Sequence, residues 1–84
     1  MDQDTATIIF VNDKEKRKID IEVPLDITAN ELFKGLNIAY QLGADITDTR
    51  KCYLVSENPI AFLKGNRTLS QYRIHDGTII YYKA

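Results

Sequence analysis

The chain has 84 residues, 44% hydrophobic and 27% charged, a composition that excludes a wholly disordered chain and fits one domain. At this size folding buries only about 60–65% of the surface an unfolded chain exposes, so one small core carries the fold. Eleven basic and 12 acidic residues leave a net charge of -1, which supplies no general electrostatic drive toward nucleic acid or anionic membrane.

No apolar run approaches the roughly 20 residues of a membrane span. The acidic start Met1-Asp2-Gln3-Asp4 is unlike the basic-then-apolar start of a signal peptide, so a cytoplasmic protein is expected. Residues 1–5 are polar and read as a flexible N-terminus, with 6–84 forming a single domain.

The first strand is expected from about Ala6 to Val11. Its partner, Ile19-Asp20-Ile21-Glu22-Val23, alternates with period two, which puts Ile19, Ile21 and Val23 on the core face and the two carboxylates on the other. If the strands pair as a hairpin, Thr7, Ile9 and Val11 are expected to join the core, with Ile8 and Phe10 pointing outward. The connection from Asn12 to Lys18 starts with turn chemistry, and four of its seven residues are basic; such a tip is solvated, or faces an acidic partner.

Pro24 lacks an N–H and ends the ladder. Thr28 and Glu31 then form a capping box with Ile27 and Leu32 as its hydrophobic staple. The helix is expected to run to about Leu42, burying Leu32, Leu36, Ala39 and Tyr40, with Gly43 as its stop. Residues 44–50 read as a connection. Lys51 to Val55 reads as a strand, ended by Ser56-Glu57-Asn58-Pro59, and Ile60 to Leu63 as a short strand or helical turn. In Leu69 to Gly77, a short helical turn leads to an Asp76-Gly77 turn and the last strand, Thr78 to Tyr82. Leu69, Tyr72 and Ile74 are expected in the core. The whole is an α+β mixed sheet of four to five strands with one main helix.

No catalytic, cofactor or metal constellation is legible. The lone Cys52 has no disulfide partner and lies among apolar residues, as a buried inert thiol does. His75 beside Asp76 has no nucleophile placed to use it and reads as a turn residue.

The order of elements, the Thr28 helix start after a Val-Pro stretch, and Asn66-Arg67-Thr68-Leu69-Ser70-Gln71-Tyr72-Arg73-Ile74 resemble ubiquitin over about residues 6–82. The resemblance implies a β-grasp roll. Two departures accompany it: the chain ends Tyr81-Tyr82-Lys83-Ala84 without a Gly-Gly tail, which argues against a conjugated modifier, and Lys14 stands where ubiquitin has a leucine at its first hairpin tip. The pattern Leu-x-x-Tyr-x-Ile-x-Asp-Gly-x-x-Ile from Leu69 to Ile80 is similar to the small EsaB/YukD family of Gram-positive bacteria. That resemblance implies a non-enzymatic, cytosolic accessory or regulatory protein of a type VII (Ess/ESX-like) secretion system, docking on its membrane-bound ATPase or a membrane subunit. The alternatives are a modifier or sulfur-carrier relative, and a purely structural β-grasp subunit.

With no chemistry to find, the candidate site is surface. In a β-grasp the helix covers one sheet face, and alternation from Ile79 and Tyr81 as core residues leaves Ile80 and Tyr82 on the other, beside Ile8 and Phe10. Tyr53 and Val55 join them if Cys52 and Leu54 face inward. These six residues form the expected protein-binding strip. Exposed aromatics and edge strands also permit a homodimer.

Overall fold

The first hairpin sets the faces of everything that follows. In the computed structural model, which describes residues 4–13 and 15–83, strands β1 (Thr5–Asn12) and β2 (Arg17–Pro24) pair antiparallel. The sequence expectations for residues 1–3, Lys14 and Ala84 lie outside the described residues. Thr5, assigned above to the N-terminal tail, opens β1: it pairs with Pro24, and its hydroxyl donates to Glu22 Oε2 at 2.9 Å.

The register places Ala6 opposite Val23, Ile8 opposite Ile21 and Phe10 opposite Ile19. Directly opposed residues share a face, so Ala6, Ile8 and Phe10 belong with the β2 isoleucines on the core side. Ile8 and Phe10 are buried, at 0% and 1% exposure. Their expected outward orientation is therefore corrected. The reason is parity: Asn12 pairs with Arg17, an even position with an odd one, and a one-residue change of register exchanges the two faces. The apolar run Ile8-Ile9-Phe10-Val11 does not choose between faces by itself. Burying Ala6, Ile8 and Phe10 leaves the polar Thr7 outside, which avoids desolvating its hydroxyl.

Helix α1 (Ala29–Ala39) begins with the expected box. Glu31 N–H donates to Thr28 Oγ1 at 3.1 Å, and Thr28 N–H donates to Glu31 Oε1 at 2.8 Å. It buries Ala29, Leu32, Phe33 and Leu36, an i, i+3, i+4, i+7 stripe. Ala39 and Tyr40, expected in that stripe, are exposed. The helix also stops short of Leu42. Tyr40 caps it, Gln41 turns the chain with φ 53, and Leu42 folds back into the core. The Asn37 side chain fixes this exit by accepting from Ala44 N–H at 3.0 Å and donating to Ala44 O at 3.2 Å.

A 3-10 turn at Thr49–Lys51 precedes β3 (Leu54–Glu57), β4 (Ala61–Leu63) and β5 (Ile79–Tyr82). The third strand thus starts later than expected and includes Ser56 and Glu57. Ser56 is tolerated at 0% exposure because its hydroxyl donates to Pro59 O at 2.7 Å. The strand order is β2-β1-β5-β3-β4, with β1 parallel to β5 and the other pairs antiparallel.

The segment from Thr68 to Gly77 leads into the central strand β5. Its turn opens with a second reciprocal box absent from the sequence reading: Gln71 N–H donates to Thr68 Oγ1 at 3.2 Å and Thr68 N–H to Gln71 Oε1 at 2.8 Å. Leu69 and Ile74 are buried as expected; Tyr72 is half-buried and its hydroxyl donates to Lys64 O at 3.0 Å. Gly77, with φ 90, donates its N–H to Thr7 O at 2.9 Å, while Thr7 N–H donates to Asp76 Oδ1 at 2.8 Å. These bonds set the start of β5 against β1, giving Phe10 beside Ile80 and Val11 beside Tyr81.

Candidate functional site

The β1–β5 register decides which side chains are available to a partner. Ile80 is 0% exposed and Tyr82 7%, on the core side with Phe10; the Tyr82 ring lies 6.1 Å from that of Phe33 in α1. Of the six residues expected on the docking strip, Ile8, Phe10, Ile80 and Tyr82 are therefore core residues. The misassignment in β5 has the same origin as in β1: Ile79-Ile80-Tyr81-Tyr82 is apolar on both faces, so alternation carries no sign. Tyr53 and Val55 are half-buried, while Cys52 and Leu54 are buried.

The face opposite α1 is instead built by the other parity. Val11 pairs with Tyr81, Tyr81 with Val55, and Val55 with Phe62, so one transverse row crosses β1, β5, β3 and β4. Lys18 extends it onto β2. A second row runs from Asp20 through Ile9 and Ile79 to Glu57. Ile9, Val11, Val55, Ile79 and Tyr81 are half-buried, and Phe62 is 57% exposed. Phe62 stacks on Tyr53, with ring centroids 4.6 Å apart and planes 17° from parallel. Two aromatic side chains thus hold each other in place at one end of the face, and such pairs carry area with little rotamer freedom left to lose on binding.

Phe62, Ile79 and Tyr81 escaped the sequence reading as surface residues. The available signal was the pairing of β4 with β3, which requires the short segment Ile60–Leu63 to be a strand. Once it is one, Leu63 opposite Leu54 forces Phe62 outward beside Val55.

Electrostatics give the face a polar rim. Tyr81 hydroxyl donates to Glu57 Oε1 at 3.0 Å. That hydrogen bond, then desolvation and the nearby Glu57 and Asp13 charges, raise the phenol above its ordinary value of 10.0. Lys83 Nζ lies 5.5 Å from the Tyr81 ring centroid, within cation–π range. With Lys18 and Asp20 at the β2 margin, charges of both signs border the apolar row.

Beyond this face, the reactive side chains are occupied structurally. Cys52 is buried and free, its thiol directed at Asp48 O, 3.4 Å away. His75 is an exposed turn residue whose Nδ1 lies 2.8 Å from Asp76 O. Asp45 accepts from the Thr47 hydroxyl and N–H at 2.6 and 2.9 Å, which hold its carboxyl below the usual range. Among the described residues no group of three or more His, Cys, Asp or Glu side chains is placed to hold a metal ion. No helix among them is long and apolar enough to cross a membrane.

A mixed five-stranded sheet with parallel central strands, one helix across a single face and an apolar row across the other defines a ubiquitin-like β-grasp protein. Solved structures agree. The C-terminal ubiquitin-like domain of mouse tubulin-specific chaperone e is similar with TM-score 0.71 and 13% identity, over 100% of this chain and 92% of that one. A ubiquitin-like domain from tubulin-binding cofactor B gives 0.72 and 12%, over 95% and 89%. A protein designed on ubiquitin gives 0.65 and 23%, over 94% and 87%. At these identities the likeness concerns the fold. The curated proteins contain no match. More specifically, the family model described as "WXG100 protein secretion system (Wss), protein YukD" matches residues 7–81, and the chain belongs to that YukD family.

Proposed function

We propose that this protein is a non-enzymatic accessory or regulatory component of its WXG100 (type VII) secretion system, and that it acts by docking through the helix-free face of its sheet. The observation that carries the reading is the row Val11, Tyr81, Val55 and Phe62, which runs unbroken across four strands and ends in the stacked pair Tyr53–Phe62. Apolar and aromatic area concentrated on one face inside a charged rim is the anatomy of a protein-binding surface. The partner class is a protein surface of the secretion machine, its membrane-bound ATPase or a membrane subunit, with a complementary apolar centre.

Affinity capture from the native cell tests this, comparing the wild type with a variant carrying Val55→Ser, Phe62→Ser and Tyr81→Ser. The expected result is recovery of secretion-system components by the wild type and their loss with the variant, whose fold persists because all three side chains lie on the outer face. Equal recovery by both would remove the face from consideration. Covalent joining of the protein to others through its C-terminus would replace docking by the modifier reading.

A further inference from the structure

We propose that two copies of this chain associate through the free edges of β2, joined antiparallel so that one sheet continues across a two-fold axis. Strand β2 lies at the end of the strand order and pairs through all eight of its residues with β1, so its other edge is long and regular. Leu25 N–H donates to Asp4 O, which fixes the phase of the ladder. Odd residues of β2 direct their backbone groups at β1, and Lys18, Asp20 and Glu22 direct theirs away from it. These backbone groups form a template for another strand.

Charge selects what that strand is. Charged edge strands ordinarily deter pairing, but this one separates its signs along its length, Arg17 and Lys18 preceding Asp20 and Glu22. An antiparallel second copy therefore meets it with the opposite sign. When Lys18 lies opposite Asp20 of the second copy, the two-fold relation repeats the pair, each pair exchanges both backbone bonds, and Ile19 meets Ile19 on the helix side. Moving the register one step keeps two opposite-charge pairs, Lys18 with Glu22, but sets Asp20 against Asp20 between them. The next sets Asp20 against Glu22 twice, and one step the other way sets Lys18 against Lys18, so the first register alone has no like charges directly opposed. Like charges directly opposed are destabilising, so the Lys18–Asp20 register is the one selected.

Packing on the helix side agrees. Between β2 and α1 runs an open apolar groove of about 430 Å³, lined by Ile21, Val23, Ile27, Leu36 and Ala39 among others. Ile21 is only half-buried there, and Ile19, equally half-buried, lines a smaller pocket beside Phe10 and Tyr40, although both pack on the core cluster. A second β2 brings its own Ile19 and Ile21 to this side and covers them, which adds apolar burial to the edge bonds.

Sedimentation velocity on the full chain at rising concentration, at low and high salt, tests the proposal with Lys18→Glu, Asp20→Lys and the double variant. The expected mass rises from 9.6 kDa toward twice that value, and less so in high salt. Each single substitution sets like charges opposite one another twice and raises the dimer dissociation constant about tenfold or more, while the double exchange restores association. Both side chains are exposed, and near-ultraviolet circular dichroism verifies that each variant is folded. A monomer at every concentration overturns the proposal, as does a double variant no better than the singles. The readout is mass, so it stands or falls separately from partner capture by the outer face.

Discussion

Phe10 lies beside Ile80 across the parallel β1–β5 ladder, and both are sealed against the helix side of the sheet at 1% and 0% exposure. This pair locks the two central strands to one core, and its neighbours Val11 and Tyr81, one position further along each strand, face the other way. Adjacent residues thus lie on different faces: one set holds the core and the other forms the outer face proposed above for docking.

Truncating the inner set should cost stability. Phe10→Ala is expected to lose about 3–5 kcal/mol and Ile80→Ala about 2–5 kcal/mol, a large share of a small domain's total of roughly 5–15 kcal/mol. Tyr81→Ser and Val55→Ser should each lose about 1 kcal/mol or less. Urea titration of the four variants separates the sets, and equal losses for Ile80→Ala and Tyr81→Ser would contradict the assigned faces.

Removing the helix cap should be felt at the scale of one bond. Thr28→Ala deprives Glu31 N–H of its acceptor and is expected to lower stability by about 1 kcal/mol. Chemical denaturation against the wild type measures it. An unchanged midpoint would mean that packing alone sets the start of α1.

Gly35 offers the opposite change. It lies inside α1, and a Cβ added there meets nothing within 4 Å. Gly35→Ala should therefore raise stability by about 0.5–1 kcal/mol, because alanine loses less backbone freedom on entering a helix. The melting temperature should rise. A fall would show that the methyl group disturbs the β2–α1 groove.

The bond from Tyr81 to Glu57 predicts a titration. Because it favours the neutral phenol, the folded-state value lies above the ordinary 10.0. The bond's contribution is then fully present below pH 10 and is lost as pH rises through the raised value. Tyrosine ring carbon shifts followed by NMR should show Tyr81 titrating late, and Glu57→Gln should bring its midpoint down. A midpoint that this substitution leaves in place would show that the carboxylate does not control it.

The opposing signs of Lys18 and Asp20 give a further expectation about β2. Amide exchange at Lys18 and Asp20 should slow with concentration as the edge pairs, while that at Ile19 and Ile21, whose N–H groups already face β1, should change far less.

Local sequence by itself determined the punctuation of this protein. The Thr28–Glu31 box, the Asp76–Gly77 turn and the Ile19-Asp20-Ile21-Glu22-Val23 alternation rest on bonds or periods contained within a few residues, and all three stand in the structure. The element order and the Leu69–Ile80 pattern were enough for the β-grasp and its family. Only the tertiary structure decided which way β1 and β5 face, because Ile8-Ile9-Phe10-Val11 and Ile79-Ile80-Tyr81-Tyr82 are apolar at consecutive positions, so either phase looks buried. Their parity follows from the hairpin register and from the bonds joining Gly77 and Asp76 to Thr7, contacts between segments far apart in the chain. A shift of one residue leaves local propensity nearly unchanged and exchanges core for surface, which is why the fold was legible and the residues of its outer sheet face were not.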